Sequence, residues 1–201
     1  MTGTPRDEIL ARVRRLQPAA RDVPELPPFA RGLGAGSFER FAASLQRMGG
    51  KLAAEPTLDA LLRQQFPQAK VVCSLVPEHA GNRNAATLRH ARDLEDVDVG
   101  IVRAAFGVAE TGSVLLTEVE LPLHAEAIGF LSQHLIVLLD PAAIVATLHD
   151  AYADPQVAAA RYAIFMTGPS ATADIEGILI HGAQGVRSLT VLAAAPARAA
   201  G

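Results

Sequence analysis

Two short stretches gather residue types that can bind or react. In Ala109-Glu110-Thr111-Gly112-Ser113 a carboxylate, a hydroxyl and a glycine stand directly before an apolar β segment, an awkward place for a charge. The plain alternative is a turn in which Gly112 supplies a positive φ and Glu110 is solvated. The second stretch is Gly168-Pro169-Ser170 and its continuation to Glu176. It leaves the end of an apolar strand and opens a predicted helix over 171–181, with Ser170 as cap and Thr172 as a second hydroxyl. In open α/β sheets ligands collect at the carboxyl ends of strands, where helix N-terminal amides face them. Asp174 and Glu176 in the first turns also complement the helix dipole, so a structural role competes with a functional one. An acid where a phosphate could sit suits a ligand hydroxyl, an amine or acid–base work better. On that helix Asp174 and His181 would share one face. Gly182-Ala183-Gln184-Gly185 follows, with Gly182 suited to a helix C-cap. A part for this loop in the same crevice requires a fold-back or a neighbouring subunit.

These stretches define an expected site. Glu110 and Asp174 are the acid–base candidates, and Thr111, Gly112, Gly168, Pro169, Ser170, Thr172 and Glu176 the ligand-binding set. Both carboxylates are expected to face one crevice, where repulsion raises the pKa of at least one.

The positioning elements follow from periodicity. Thr4, Pro5, Asp7 and Glu8 signal a helix start, and Ile9, Leu10, Val13 and Leu16 form its apolar stripe. That stripe is expected to pack on its own domain or on a neighbouring subunit. Pro18, Pro24, Pro27 and Pro28, then Gly32, Gly34 and Gly36, make residues 17–36 an extended connector. Ser37 caps a helix carrying Phe38, Phe41, Leu45 and Met48, and a second helix spans about 57–66. Strands are expected at 51–54, 70–76, 97–101, 113–117, 134–139, 163–166 and 189–193, with 97–101 paired to 113–117 through a turn at Gly107. Asp140 and Pro141 are expected to open a helix lined by Ile144, Val145, Leu148 and Tyr152, completing a βαβ unit. Such alternation predicts an α/β fold, a mostly parallel sheet with helices on both faces. The chain divides into an N-terminal helix and connector (1–36), the α/β domain (37–195) and a frayed tail (196–201).

Composition bounds the function. A formal charge of −3 and a pI near 6.1 argue against a general nucleic-acid surface. The arginines of the first helix alternate with acids and read as a solvated face. Cys73 is the one cysteine, so no internal disulfide or cysteine-held cluster can form, and in its apolar run it reads as an inert thiol. Six scattered histidines show no metal-ligand spacing, and no metal or cofactor is expected. Gly32-Leu33-Gly34-Ala35-Gly36 lacks the preceding strand and the spacing of a dinucleotide loop. Apolar runs are too short to span a bilayer and no secretory signal opens the chain, so a cytoplasmic protein is expected.

Taken together, Gly107-Val-Ala-Glu-Thr-Gly-Ser113, Thr167-Gly-Pro-Ser-Ala-Thr-Ala-Asp-Ile-Glu176 and Gly182-Ala-Gln-Gly185 resemble the LUD-domain family, over about residues 37–194. The resemblance implies a fold like that of ribose-phosphate isomerase and the coenzyme A transferases. It implies a part in bacterial growth on L-lactate beside iron–sulfur partner proteins that oxidise lactate to pyruvate. The family's last motif usually reads Gly-Val-His-Gly-Pro, whereas this chain has Gln184 and Val186 in place of His and Pro. Some coenzyme A transferases use a loop glutamate as nucleophile, which invites comparison with Glu110. Three functions are thus carried forward: a non-redox component of a lactate-oxidising system, a stand-alone transferase- or isomerase-type enzyme acting on a small organic or nucleotide-like ligand, and a regulatory ligand-binding module. The expected partners are the iron–sulfur proteins, a small-molecule ligand and, through the N-terminal helix, a second copy of the chain.

Overall fold

Local signals set the helix starts. Thr4 accepts from the Asp7 amide while Asp7 bonds back to the Thr4 backbone, a capping box that opens α1 (Pro5–Arg15). Ser37 and Thr57 cap α2 (Phe38–Arg47) and α3 (Leu58–Gln65) by accepting from the Arg40 and Ala60 amides. The computed structural model describes residues 4–22, 24, 25, 27, 36–175 and 177–195. Gly32, Gly34, Glu176 and the 196–201 tail lie outside the described residues. The described part of the connector before Ser37 holds neither helix nor strand beyond the end of α1.

Two sheets form the centre. Five parallel strands, β1 (Lys51–Leu52), β2 (Val72–Ser74), β3 (Val99–Arg103), β6 (His134–Leu139) and β11 (Ser188–Ala193), lie in the order β1-β11-β6-β3-β2. The second sheet contains β4 (Phe106–Val108), β5 (Ser113–Thr117), β7 (Ile144–Val145) and β8 (Ala163–Met166), ordered β7-β4-β5-β8, with β5 antiparallel to both its neighbours. Leu135–Leu139 of β6 are all buried, as expected of a strand covered on both faces. Leu58 and Leu61 of α3 pack on one face of the parallel sheet with Val99, Ile101, Ile136 and Leu138. The opposite face, with Leu135, Val137, Leu189 and Val191, meets Phe41 and Leu45 of α2 and Val114 and Leu116 of β5. Burying a leucine or phenylalanine contributes about 1.5–3 kcal/mol, so Phe41 and Leu45 anchor α2 between the sheets. Beyond the mixed sheet, Ala151 and Leu148 of α5 (Leu148–Ala153) and Val157 of α6 (Pro155–Ala159) close over Phe106, Val108 and Leu115. The architecture is α/β, with a mostly parallel central sheet and helices around it.

Four expectations are corrected. β3 and β5 do not pair: the Ala104 amide bonds to Leu138 in the parallel sheet, and the next amide, Ala105, bonds to Leu115 in the other. The chain changes sheets at that step, and β4 becomes the partner of β5. No helix starts at Asp140. Its carboxylate accepts from the Ala142 amide in a turn, β-branched Ile144 and Val145 find a strand partner in β4, and α5 starts only at Leu148, capped by Thr147. β6 and β8 therefore lie in different sheets and make no βαβ unit. Finally, of the two partners expected for the apolar stripe of α1, its own domain does not cover it among the described residues: Ile9, Val13 and Leu16 are 64%, 52% and 70% exposed.

Candidate functional site

The β4–β5 turn is held from below by α2. The buried Ser44 hydroxyl donates to the Ala109 carbonyl at 2.9 Å and accepts from Arg47 Nη2 at 2.8 Å. Gly112 has φ +68°, and a Cβ there would lie 2.1 Å from the Leu45 nitrogen. The left-handed turn and the close helix approach together require glycine. At the end of β8, the Thr167 hydroxyl donates to the Gly112 carbonyl at 3.0 Å. Gly168, at φ +62°, leaves room for the Met48 carbonyl, 2.1 Å from where its Cβ would sit. The last turn of α2 thus locks the first two motifs together.

The third motif joins them by folding back within the same chain. The Ser170 amide donates to the Val186 carbonyl at 2.9 Å, and the Gly182 amide donates to the Ser170 carbonyl at 2.6 Å. These bonds draw residue 170 into extended structure, and the expected helix over 171–181 does not form. Instead β9 (Ala171–Thr172) and β10 (Ile180–His181) make an antiparallel hairpin, with Gly177 at φ +70° in its loop. Ser170 is therefore not a helix cap, Asp174 meets no helix dipole, and Gly182 is not a helix C-cap. His181 pairs with Ala171 across the hairpin, not with Asp174 along one helix face.

Beside this junction lies a cavity of about 610 Å³. Phe130 and Leu131 of α4 (Ile128–Leu131) and Ile164, Phe165 and Met166 of β8 form its apolar wall. Thr167 to Ser170 line it further, with Gln184 to Val186. Apolar walls with a few converging hydroxyl, amide and backbone groups, at this volume, are the usual make-up of a small-molecule pocket. It borders the segments that enter β6 and β11, and so lies toward the amino edge of the parallel sheet, not the expected carboxyl edge.

The expected residues divide accordingly. Gly168, Pro169 and Ser170 line the cavity, and Thr111 and Gly112 touch it at one remove through Thr167. Thr172 lies on β9, its hydroxyl accepting from the Asp174 amide at 3.3 Å, and Asp174 is exposed in the hairpin loop. Glu110 is turned elsewhere: its carboxylate accepts from the Leu148 amide at 2.9 Å at the start of α5. The two carboxylates do not share the cavity, and neither lines it. Sequence reasoning missed the wall at Phe130 and Leu131, because a four-residue helix is too short to show periodicity. It had set Gln184 apart because of the helix wrongly placed before it.

Cys73 is fully buried, and desolvation pushes its thiol pKa up, consistent with an inert packing role. Among the described residues no His, Cys, Asp and Glu side chains group to hold a metal ion, and no helix is long and apolar enough to cross a membrane.

A two-sheet α/β core with a glycine-lined junction beside an apolar cavity defines the class structurally. A family model for the LUD domain matches residues 40–193, and the chain belongs to the LUD-domain family. The fold is similar to that in the crystal structure of a DUF162 family protein from Deinococcus radiodurans. The TM-score is 0.52 at 16% identity, over 77% of this chain and 94% of that one. No curated protein matches the chain. The departures noted above fall at the cavity: Gln184 lines it, and Val186 is buried with its carbonyl holding Ser170. A carbonyl bond at position 186 is open to proline and valine alike.

Proposed function

We propose that this protein is a non-redox component of a bacterial L-lactate utilization system, acting in the cytoplasm beside iron–sulfur proteins that oxidise L-lactate to pyruvate. Membership of the LUD-domain family carries this reading. The single buried cysteine agrees with it, since cysteine-held cluster chemistry must then reside on other chains. In this reading the 610 Å³ cavity takes a small organic ligand, with Gly168, Pro169 and Ser170 at its surface and Thr111, Gly112 and Thr172 supporting them. Of the two candidate acid–base groups, Glu110 is engaged at α5, and Asp174 is exposed in the hairpin that follows Ser170. The unburied stripe of α1 supports its use as a contact arm for a partner chain or a second copy.

Deletion of the gene should abolish growth on L-lactate but not on pyruvate, and capture of the tagged protein from lactate-grown cells should bring down cysteine-rich iron–sulfur chains. Normal growth of the deletion strain on L-lactate would overturn the proposal. A stand-alone transferase- or isomerase-type enzyme with Glu110 as nucleophile is the weaker reading, because the Glu110 carboxylate is engaged at α5. Turnover by the purified protein that Glu110→Gln abolishes would reinstate it.

A further inference from the structure

We infer that a second cavity, at the amino edge of the parallel sheet, binds a small organic anion whose carboxylate or phosphate group is held between Arg187 and His134. The register of the sheet brings these groups together. Val99, His134 and Ser188 stand side by side where β3, β6 and β11 begin. Asp98, Gln133, His134 and Arg187 therefore face one space, which Phe66 and Gln68 close from the segment after α3. Its volume is about 450 Å³.

The polar groups there are arranged for an anion. Two contacts orient the His134 ring: its Nδ1 lies 2.8 Å from the Ser188 hydroxyl, and its centre lies 4.9 Å from that of the Phe66 ring. In the tautomer in which the serine hydroxyl donates to Nδ1, the proton of the neutral ring sits on Nε2, and Nε2 has no partner among the described residues. The Arg187 guanidinium forms no ion pair among the described residues, and its fork matches the oxygens of a carboxylate or phosphate. Asp98 is the one carboxylate lining the cavity, and it is already committed. Its Oδ2 accepts from the Lys70 and Val71 amides at 2.6 and 2.9 Å. A bare ion would fill little of the space, since a water molecule's share of liquid volume is about 30 Å³. The Phe66–Pro67–Ala69 wall offers an apolar surface for the rest of an organic anion.

Protonation of His134 and occupancy of the cavity are then coupled. Partial burial, followed by the positive charges of Arg187 and Lys51, holds the His134 pKa below the ordinary histidine value, against an opposing pull from Asp98. An anion placed between Arg187 and the ring reverses that field and favours the imidazolium. Binding therefore raises the His134 pKa, and by reciprocity the anion binds more tightly as pH falls through the histidine range.

Proton NMR titration of the six histidines in the full chain tests this, with His134→Gln assigning the resonance. The probes are sodium benzoate and sodium phosphate, with sodium chloride at equal ionic strength as control. Benzoate or phosphate should raise the His134 midpoint by about one pH unit, the mark of a tenfold preference for the charged ring. The other five histidines should move far less, and Arg187→Gln, at an exposed position, should abolish the response. A response to benzoate alone assigns a carboxylate ligand, to phosphate alone a phosphorylated one, and to both a general oxyanion site. The inference falls if chloride reproduces the shift, if neither probe moves the resonance, or if Arg187→Gln responds like the wild type. The lactate proposal rests on family membership and places its ligand in the other cavity, so it stands or falls separately.

Discussion

At the scale of single residues, a glycine matters for what is pressed against it. Gly112 and Gly177 have nearly the same φ, +68° and +70°, yet a Cβ at 112 would strike the α2 backbone whereas one at 177 would meet nothing within 4 Å. Asparagine tolerates the left-handed region, so it separates conformation from space. Gly177→Asn should cost about 1 kcal/mol or less. Gly112→Asn should cost about 3 kcal/mol or more, because overpacking against backbone adds to the strain. Urea unfolding of the two variants checks this, and similar midpoints would show that α2 does not press on the turn. Glycine and threonine in the first motif were readable as a turn before a strand. That their neighbours are a helix backbone and Thr167 was not, since those partners are distant in the chain.

At the scale of elements, short segments were decided by their partners. Residues 171–181 carry helix-start residues, but the Ser170 amide bonds to Val186 and the chain enters a hairpin. Ile144 and Val145 fit the apolar face of a helix by spacing alone and instead pair with Gly107 and Val108. Glu110 then takes a role that no local pattern announces, as an acceptor at the start of α5. Glu110→Ala should lower stability by about 1 kcal/mol, the usual worth of a capping acceptor. Glu110→Gln should lower it less, because the amide oxygen can still accept from Leu148. Thermal unfolding followed by circular dichroism measures both. Unchanged stability in the alanine variant would mean that the capping bond contributes nothing in solution.

At the scale of the whole molecule, α1 is an element whose apolar face the described core leaves exposed. None of its residues is buried, and Ile9, Val13 and Leu16 present an apolar stripe flanked by Arg12, Arg14 and Arg15. Deleting residues 1–16 should leave the unfolding midpoint of the remaining chain unchanged while removing whatever partner or self-association the full chain shows. Calorimetry and light scattering on both forms test the two halves. A fall of more than about 4 °C would correspond to roughly 1 kcal/mol or more in a chain of this size and would mean that α1 packs on its own core.

The sequence by itself determined the class of fold and most long elements. The apolar runs 113–117, 134–139 and 163–166 are strands at those boundaries, and the capped, periodic segments beginning at Ser37 and Thr57 are helices. These signals are local: capping involves residues three apart, and periodicity reads one face of one element. The tertiary structure alone decided which sheet each strand joins, that residues 171–181 form a hairpin, and that Glu110 turns away from the cavity. Each of those outcomes is a choice of hydrogen-bond partner among amides and carbonyls remote in sequence. Every buried backbone group must find one, so a distant carbonyl such as that of Val186 can override a helix the local residues favour.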